Sequence, residues 1–200
     1  MTETIAPLIS FAFAASITPG PNNLMLMTSG ANFGWRNTMP HLLGVWVGFI
    51  LMTFLIGIGL LQTIERFPQI FDVLKILCGL FVLYLAWKIA TAAPLDQNAV
   101  GSARPLRFIE AAAFQWINPK AVAMALTTVT TYASEQTFTA ISVAILIFGC
   151  VNLPCCSAWI LVGQRMRIWL QNPHRLRAFN VTMAALLMAS MVPVLIDFGD

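Results

Sequence analysis

Residues 16–27 read SITPGPNNLMLM, inside an apolar run that begins near Ile5 and continues past Leu26. Two prolines bracketing a glycine interrupt a helix, because proline has no N–H to donate and its ring clashes with the preceding turn. In a bilayer such an interruption bares backbone polar groups, each costing several kcal/mol if left unsatisfied. The reading of the break therefore turns on whether the run lies in lipid.

Composition places it there. Of the 200 residues, 58% are hydrophobic and 10% charged, against the roughly 25% charged of a soluble domain. The apolar residues gather in six stretches, 5–30, 38–61, 68–91, 108–131, 137–163 and 178–196, each close to or above the ~20 residues that span a bilayer core. Helices apolar all round are membrane spans or deep core, and a soluble chain of this length has no room to bury six. The expectation is an all-α membrane protein of one domain with six transmembrane helices. FAFAAS ends in small residues like a secretory cleavage site, but a secretory signal opens with basic residues. Here the first charge is Glu3 and no basic residue precedes Arg36, so no cleaved leader is expected.

Lys and Arg set the orientation. Arg36, Lys88, Arg104, Arg107, Arg165, Arg167, Arg175 and Arg177 fall on one side of these spans, and Arg66 alone falls on the other. The 93–107 segment is expected in the cytoplasm and both termini outside. The net charge of +3 reads as topology, not as nucleic-acid binding.

The polar segment 93–107 divides three spans from three. Residues 1–92 form a first half, 93–107 a linker and 108–200 a second half. An odd number of spans per half makes the second run opposite to the first, which is the geometry of inverted repeats in secondary transporters. The fourth span, leading the second half, also breaks, at W116-I-N-P-K120. Interrupted segments at corresponding positions of two halves point to a transporter binding site.

Glycine or asparagine before proline is the grammar of a helix start. Gly20-Pro21 and Asn118-Pro119 both fit it, so Pro19, Pro21 and Pro119 mark places where a new half-helix begins near the midplane. A helix N-terminus presents free N–H groups and about half a positive charge, a ready site for an anion. Lys120 adds a charge near the centre of its span, where insertion costs roughly 2.5–3.5 kcal/mol. Intramembrane charges of this kind line polar interiors, and a bound carboxylate would relieve the cost. The structural alternative is a lysine donating to the unwound carbonyls of the other break. Thr18, Gly20, Pro21, Asn22, Asn23, Gln115, Asn118 and Lys120 are the candidate substrate-binding residues.

Other features have plainer readings. Asn152 and Pro154 disturb the fifth span. Asp72 and Lys75 are spaced to pair with each other. Glu110 suits the first turn of a helix, and His41 lies at a membrane boundary. Gly34, Gly44, Gly48, Gly57 and Gly59 offer small faces for close helix packing. Cys78, Cys150, Cys155 and Cys156 have no metal or redox spacing. With no HExxH or GxSxG motif and two peripheral histidines, no catalytic residue, metal or cofactor is expected.

T18-P-G-P-N-N23 with Gly34, Gly44 and Gly48, then L74-K-I-L-C-G79, Y84-L-A-W-K88 and F114-Q-W-I-N-P-K-A121, resemble the lysine exporter/homoserine-threonine exporter family of amino-acid efflux proteins. The wording PGPNN, AWKIA and FQWINPK is most similar to its cysteine and O-acetylserine exporter branch. The resemblance covers most of 10–125. It implies a secondary transporter in the bacterial inner membrane that exports small amino acids or derivatives by alternating access, coupled to protons. Its partners would be the substrate and the lipid bilayer, with homo-oligomerisation left open. The alternative is a heavy-metal cation exporter of the same superfamily, which needs converging soft or carboxylate ligands. This chain departs from the family pattern in carrying Asn22 where many members have Asp, and Ala111 and Gln115 where Gly and Asn are usual. The Pro-Gln-Phe usual at the end of the fourth helix is absent around Thr130–Tyr132.

Overall fold

The computed structural model describes residues 2–60, 69–91, 104–133 and 137–189. Among these residues the secondary structure is entirely helical: α1 (Thr2–Ile17), α2 (Pro21–Leu55), a π turn (Ile56–Leu60), α3 (Gln69–Ala90), α4 (Phe108–Ile117), α5 (Pro119–Tyr132), α6 (Phe138–Met166), a 3-10 turn (Trp169–Gln171) and α7 (Pro173–Ala189). The Asp72–Lys75 pair and the Cys78 thiol lie outside the described side chains, and residues 93–103 of the linker lie outside the described residues.

Pro21–Gly59 and Phe138–Met166 are long and apolar enough to cross a membrane. The first is not one rod. Gly34 sits at φ 80°, ψ 173°, a conformation essentially restricted to glycine. The chain folds back there. Asn22 bonds Gln115 while Gly44 packs on Phe108 and Ala111, yet a straight helix would separate Asn22 from Gly44 by about 33 Å at 1.5 Å per residue. The hydroxyls of Ser29 and Thr38, on either side of the turn, meet at 2.9 Å. The Trp35 N–H donates to Gln164 Oε1 at 2.9 Å and fastens the turn to the end of α6. Gly34, read from the sequence as a packing glycine, is instead the residue that reverses the chain. α2 therefore holds two antiparallel arms, residues 21–33 and 35–55.

α6 is the central strut. α1 and the first arm of α2 run beside it in the same direction: Leu8 and Ala12 cluster with Ala140 and Ala144, Ser16 meets Asn152, and Gly30 meets Ile160. The second arm of α2 runs against α6, with Trp46 Nε1 donating to the Gly149 carbonyl at 2.9 Å and Gly57, in the π turn that continues the arm, on Ile141. The same arm runs parallel to α4, Gly44 on Phe108 and Gly48 on Ala112. A Cβ on Gly30, Gly44, Gly48 or Gly163 would strike the backbone of the facing helix. Small residues let membrane helices approach this closely, and dispersion contacts rather than water exclusion then hold them. α3 and α7 pair through Val82, Leu85, Phe179, Met183 and Leu187. The outer faces stay apolar, with Phe13, Leu51, Leu80, Trp87 and Leu146 exposed, as a lipid-facing surface requires.

At one end of the bundle Arg167 lies beside Gly34, and Lys88 and Arg104 line one cavity with Phe33. Arg104 pairs with Glu110, which also accepts the Arg107 N–H at 2.7 Å and so caps α4. That hydrogen bond to Glu110 raises the Arg104 pKa above its ordinary value.

Candidate functional site

Each of the two Pro motifs separates a pair of helices. α1 closes at Ile17 and α2 opens at Pro21; α4 closes at Ile117 and α5 opens at Pro119. Proline at the first helical position gives up only an N–H that would have had no helical acceptor. Gly20 precedes the first start in an extended conformation (φ −176°, ψ 177°). Asn118 precedes the second, and its Oδ1 accepts the Lys120 N–H at 3.2 Å. The helical ladders begin at Leu24, bonded to Gly20, and at Val122, bonded to Asn118. The backbone N–H groups of Asn22, Asn23 and Ala121 precede those ladders and have no helical acceptor.

The two starts meet. The Lys120 ammonium reaches from α5 to the carbonyls between α1 and α2, 2.6 Å from Thr18 O and 3.4 Å from Pro19 O. Its stem crosses Gly20, where a Cβ would stand 2.7 Å from Lys120 Cδ; the absence of a side chain is what lets the lysine lie there. Lys120 thus has the carbonyl partners that its structural reading requires, while its ammonium also borders the space between the helix starts.

That space is a cavity of about 20 Å³ bordered by Gly20, Asn22, Asn23, Asn118, Lys120 and Asn152. It has room for roughly one water, which needs ~10–15 Å³. Thr18 contributes only its carbonyl, because the residue is exposed and its hydroxyl donates back to Ala14 O. Pro21 is buried in the helix start and Gln115 does not border the cavity. Gln115 is fully buried and stands behind Asn22: Asn22 Nδ2 donates to its Oε1 at 2.7 Å, and Gln115 Nε2 donates to Asn22 Oδ1 at 3.3 Å and to Ala111 O at 2.8 Å. Asn23 Nδ2 ties the unwound segment together, donating to Ser16 O at 2.7 Å and Thr18 O at 2.9 Å.

α6 supplies a wall that spacing along the chain did not assign to the site. Asn152 Nδ2 donates to Ser16 Oγ at 2.9 Å, and Cys156 lies 3.9 Å from Asn23 Oδ1 and 3.7 Å from Asn152 Oδ1. The available signal was the Asn and Pro of VNLP in an apolar span. Cys156 carried no signal of its own. Among the described residues no three His, Cys, Asp or Glu side chains come together, so the metal-exporter alternative finds no ligand set among them.

The groups around this one-water space are complementary in charge and hydrogen bonding to a small zwitterion, which the space admits only if it widens. A carboxylate is met by the Lys120 charge and free N–H groups at two helix starts, and an ammonium by the amide oxygens of the asparagines and the carbonyls of the break.

The comparisons with known proteins agree in kind. The chain is similar to the cysteine/O-acetylserine efflux protein of Salmonella typhimurium, 28% identical over 92% of this chain and 94% of that protein. It is similar to the protein of the same description in Escherichia coli strain K12, 28% identical over 97% and 99%. No solved structure matches the chain. The model of the LysE type translocator family matches residues 13–197, nearly the whole chain, and the protein belongs to that family.

Proposed function

We propose that the protein exports small amino acids or their derivatives from the bacterial cytoplasm, cysteine- and O-acetylserine-like or other neutral compounds, by alternating access coupled to the proton gradient. The observation that carries this is the Lys120 ammonium lying across two helix starts that border one polar cavity. In this reading the substrate carboxylate takes the free N–H groups of Asn22, Asn23 and Ala121 and draws Lys120 from the Thr18 carbonyl. Loss of that one bridge loosens α5 from the α1–α2 break, and the cavity opens. Asn118, Asn152 and the released carbonyls receive the ammonium. The names of the bacterial relatives support the substrate class.

Two inverted three-helix halves support the alternation. Each broken lead helix runs parallel to the second helix of the other half, α1–α2 beside α6 and α4–α5 beside the second arm of α2, with glycines at both contacts. The broken pairs run antiparallel to each other, Thr18 against Lys120 and Asn22 against Gln115. The positive-inside rule assigns the end bearing Gly34, Lys88, Arg104 and Arg167 to the cytoplasm of an inner-membrane protein, with both termini in the periplasm.

The test is counterflow of O-acetylserine and cysteine in proteoliposomes with Lys120→Ala. At least a tenfold loss is expected; unchanged exchange removes Lys120 from the site.

A further inference from the structure

A second cavity, of about 70 Å³, lies toward the arginine-bearing end of the bundle. The first arm of α2 connects the two. Asn22 borders the midplane cavity, and Met25, Ser29 and Asn32 border the second. These four recur at helical spacing along one face, and Asn22 and Ser29 are about 10 Å apart at 1.5 Å per residue. Buried Met25 stands between the two spaces.

The inner wall of this cavity holds polar groups that the proposed transport site does not use. His41 is 1% exposed and Thr28 6%. Among the described residues neither ring nitrogen of His41 nor the Thr28 hydroxyl has a hydrogen-bond partner. Buried polar atoms are nearly always paired, so three unpaired ones on two residues that line one cavity mark a place where something polar binds. The mouth is cationic. Arg104 is spent on Glu110. Lys88, half-buried with its ammonium 5.9 Å from the Tyr84 ring, makes no ion pair in contact among the described residues, and the Glu110 charge acts on it only from farther off.

We propose that this cavity is a second amino-acid site, a loading site ahead of the midplane one, with the carboxylate of a small zwitterion toward Lys88 and its ammonium toward His41 and Thr28. The substrate class rests on the function proposed above; the site itself rests on the cavity and its unpaired groups. A neutral imidazole offers one donor and one acceptor, and a hydroxyl offers both. The inner wall can therefore satisfy an ammonium while the mouth holds a carboxylate. A lipid phosphate would share only the Lys88 end and leave His41 unpaired. The volume is several times the ~10–15 Å³ that one water needs, and Leu85, Ile89 and Leu106 leave an apolar side for a short side chain.

The chain has two histidines, His41 and His174, so a histidine-labelled sample in phosphatidylcholine nanodiscs carries its own control in exposed His174. O-acetylserine should shift the His41 ring signals saturably and leave His174 in place. Its methyl ester, lacking the carboxylate, should act at least tenfold more weakly. Lys88→Ala should weaken the His41 response at least tenfold with an unchanged melting profile, whereas Lys120→Ala should leave it intact while counterflow is lost. An unmoved His41 means a water-filled cavity and overturns the proposal. So does a His41 shift seen only with phosphatidylglycerol present, which assigns the cavity to a headgroup, or one abolished by Lys120→Ala alone, which assigns it to the midplane site. A His41 response without counterflow of any amino acid would sink the transport reading and leave the site standing.

Discussion

Asn22 and Gln115 are two of the places where this chain departs from the pattern of the family it resembles, and they are hydrogen-bonded to each other. The pair is a neutral amide couple beside the cavity between the two helix starts. An amide does not titrate, so the Asn22–Gln115 pair itself adds no pH dependence to exchange. Asn22→Asp introduces a titrating group facing the substrate carboxylate. Once ionised it repels that carboxylate, so exchange by the variant should fall as pH rises through the new group's pKa. Counterflow measured against pH in both proteins checks the sign; a profile in the variant unchanged from that of the parent would place Asn22 away from the substrate. Lys120 shows how local reading and contacts divide the work. Its depth in an apolar span was plain, but its partners, the carbonyls of Thr18 and Pro19, lie a hundred positions away.

Among the helices, α2 carries the most information. Its reversal depends on Gly34, whose backbone lies where residues with a Cβ pay about 1–3 kcal/mol in strain. Gly34→Val should lower the thermal midpoint in detergent, and Gly34→Ala should do so less. A second helix-level prediction separates contact glycines from free ones. A side chain at Gly163 meets the Met27 backbone, whereas at Gly79 nothing described stands within 4 Å. Gly163→Leu should abolish monodisperse protein on size-exclusion chromatography and Gly79→Leu should leave it unchanged. Equal tolerance at the two positions would refute the close α2–α6 approach. Gly44 and Gly48 were legible as packing residues from their spacing. The turn at Gly34 was not, because glycine serves packing and positive φ alike and only the backbone around it distinguishes the two.

For the whole molecule, the basic residues gathered near Gly34, Lys88 and Arg104 define one face. If that face is cytoplasmic, alkaline phosphatase fused after Asp200 should be active and the same enzyme inserted in residues 93–103 inactive. The reverse pattern would invert the direction of every step proposed here. The candidate site is built where α1, α2, α5 and α6 meet, so it has no continuous counterpart in the chain. Ser16 on α1, Asn23 on α2, Asn118 and Lys120 flanking the start of α5 and Asn152 on α6 are brought together only by the packing of the small-residue faces.

Short-range chemistry was readable from the residues alone. Long apolar runs had nowhere to go but lipid, and Gly-Pro and Asn-Pro had to begin helices because proline lacks an N–H and a helix start does not need one. Which side chains those starts would face was beyond such reading. Spacing along one helix reports its own faces, while a contact between positions 22 and 115 or 16 and 152 depends on how closely whole helices approach. That approach is set by glycines meeting backbone on opposing helices, and only the folded chain shows where they meet.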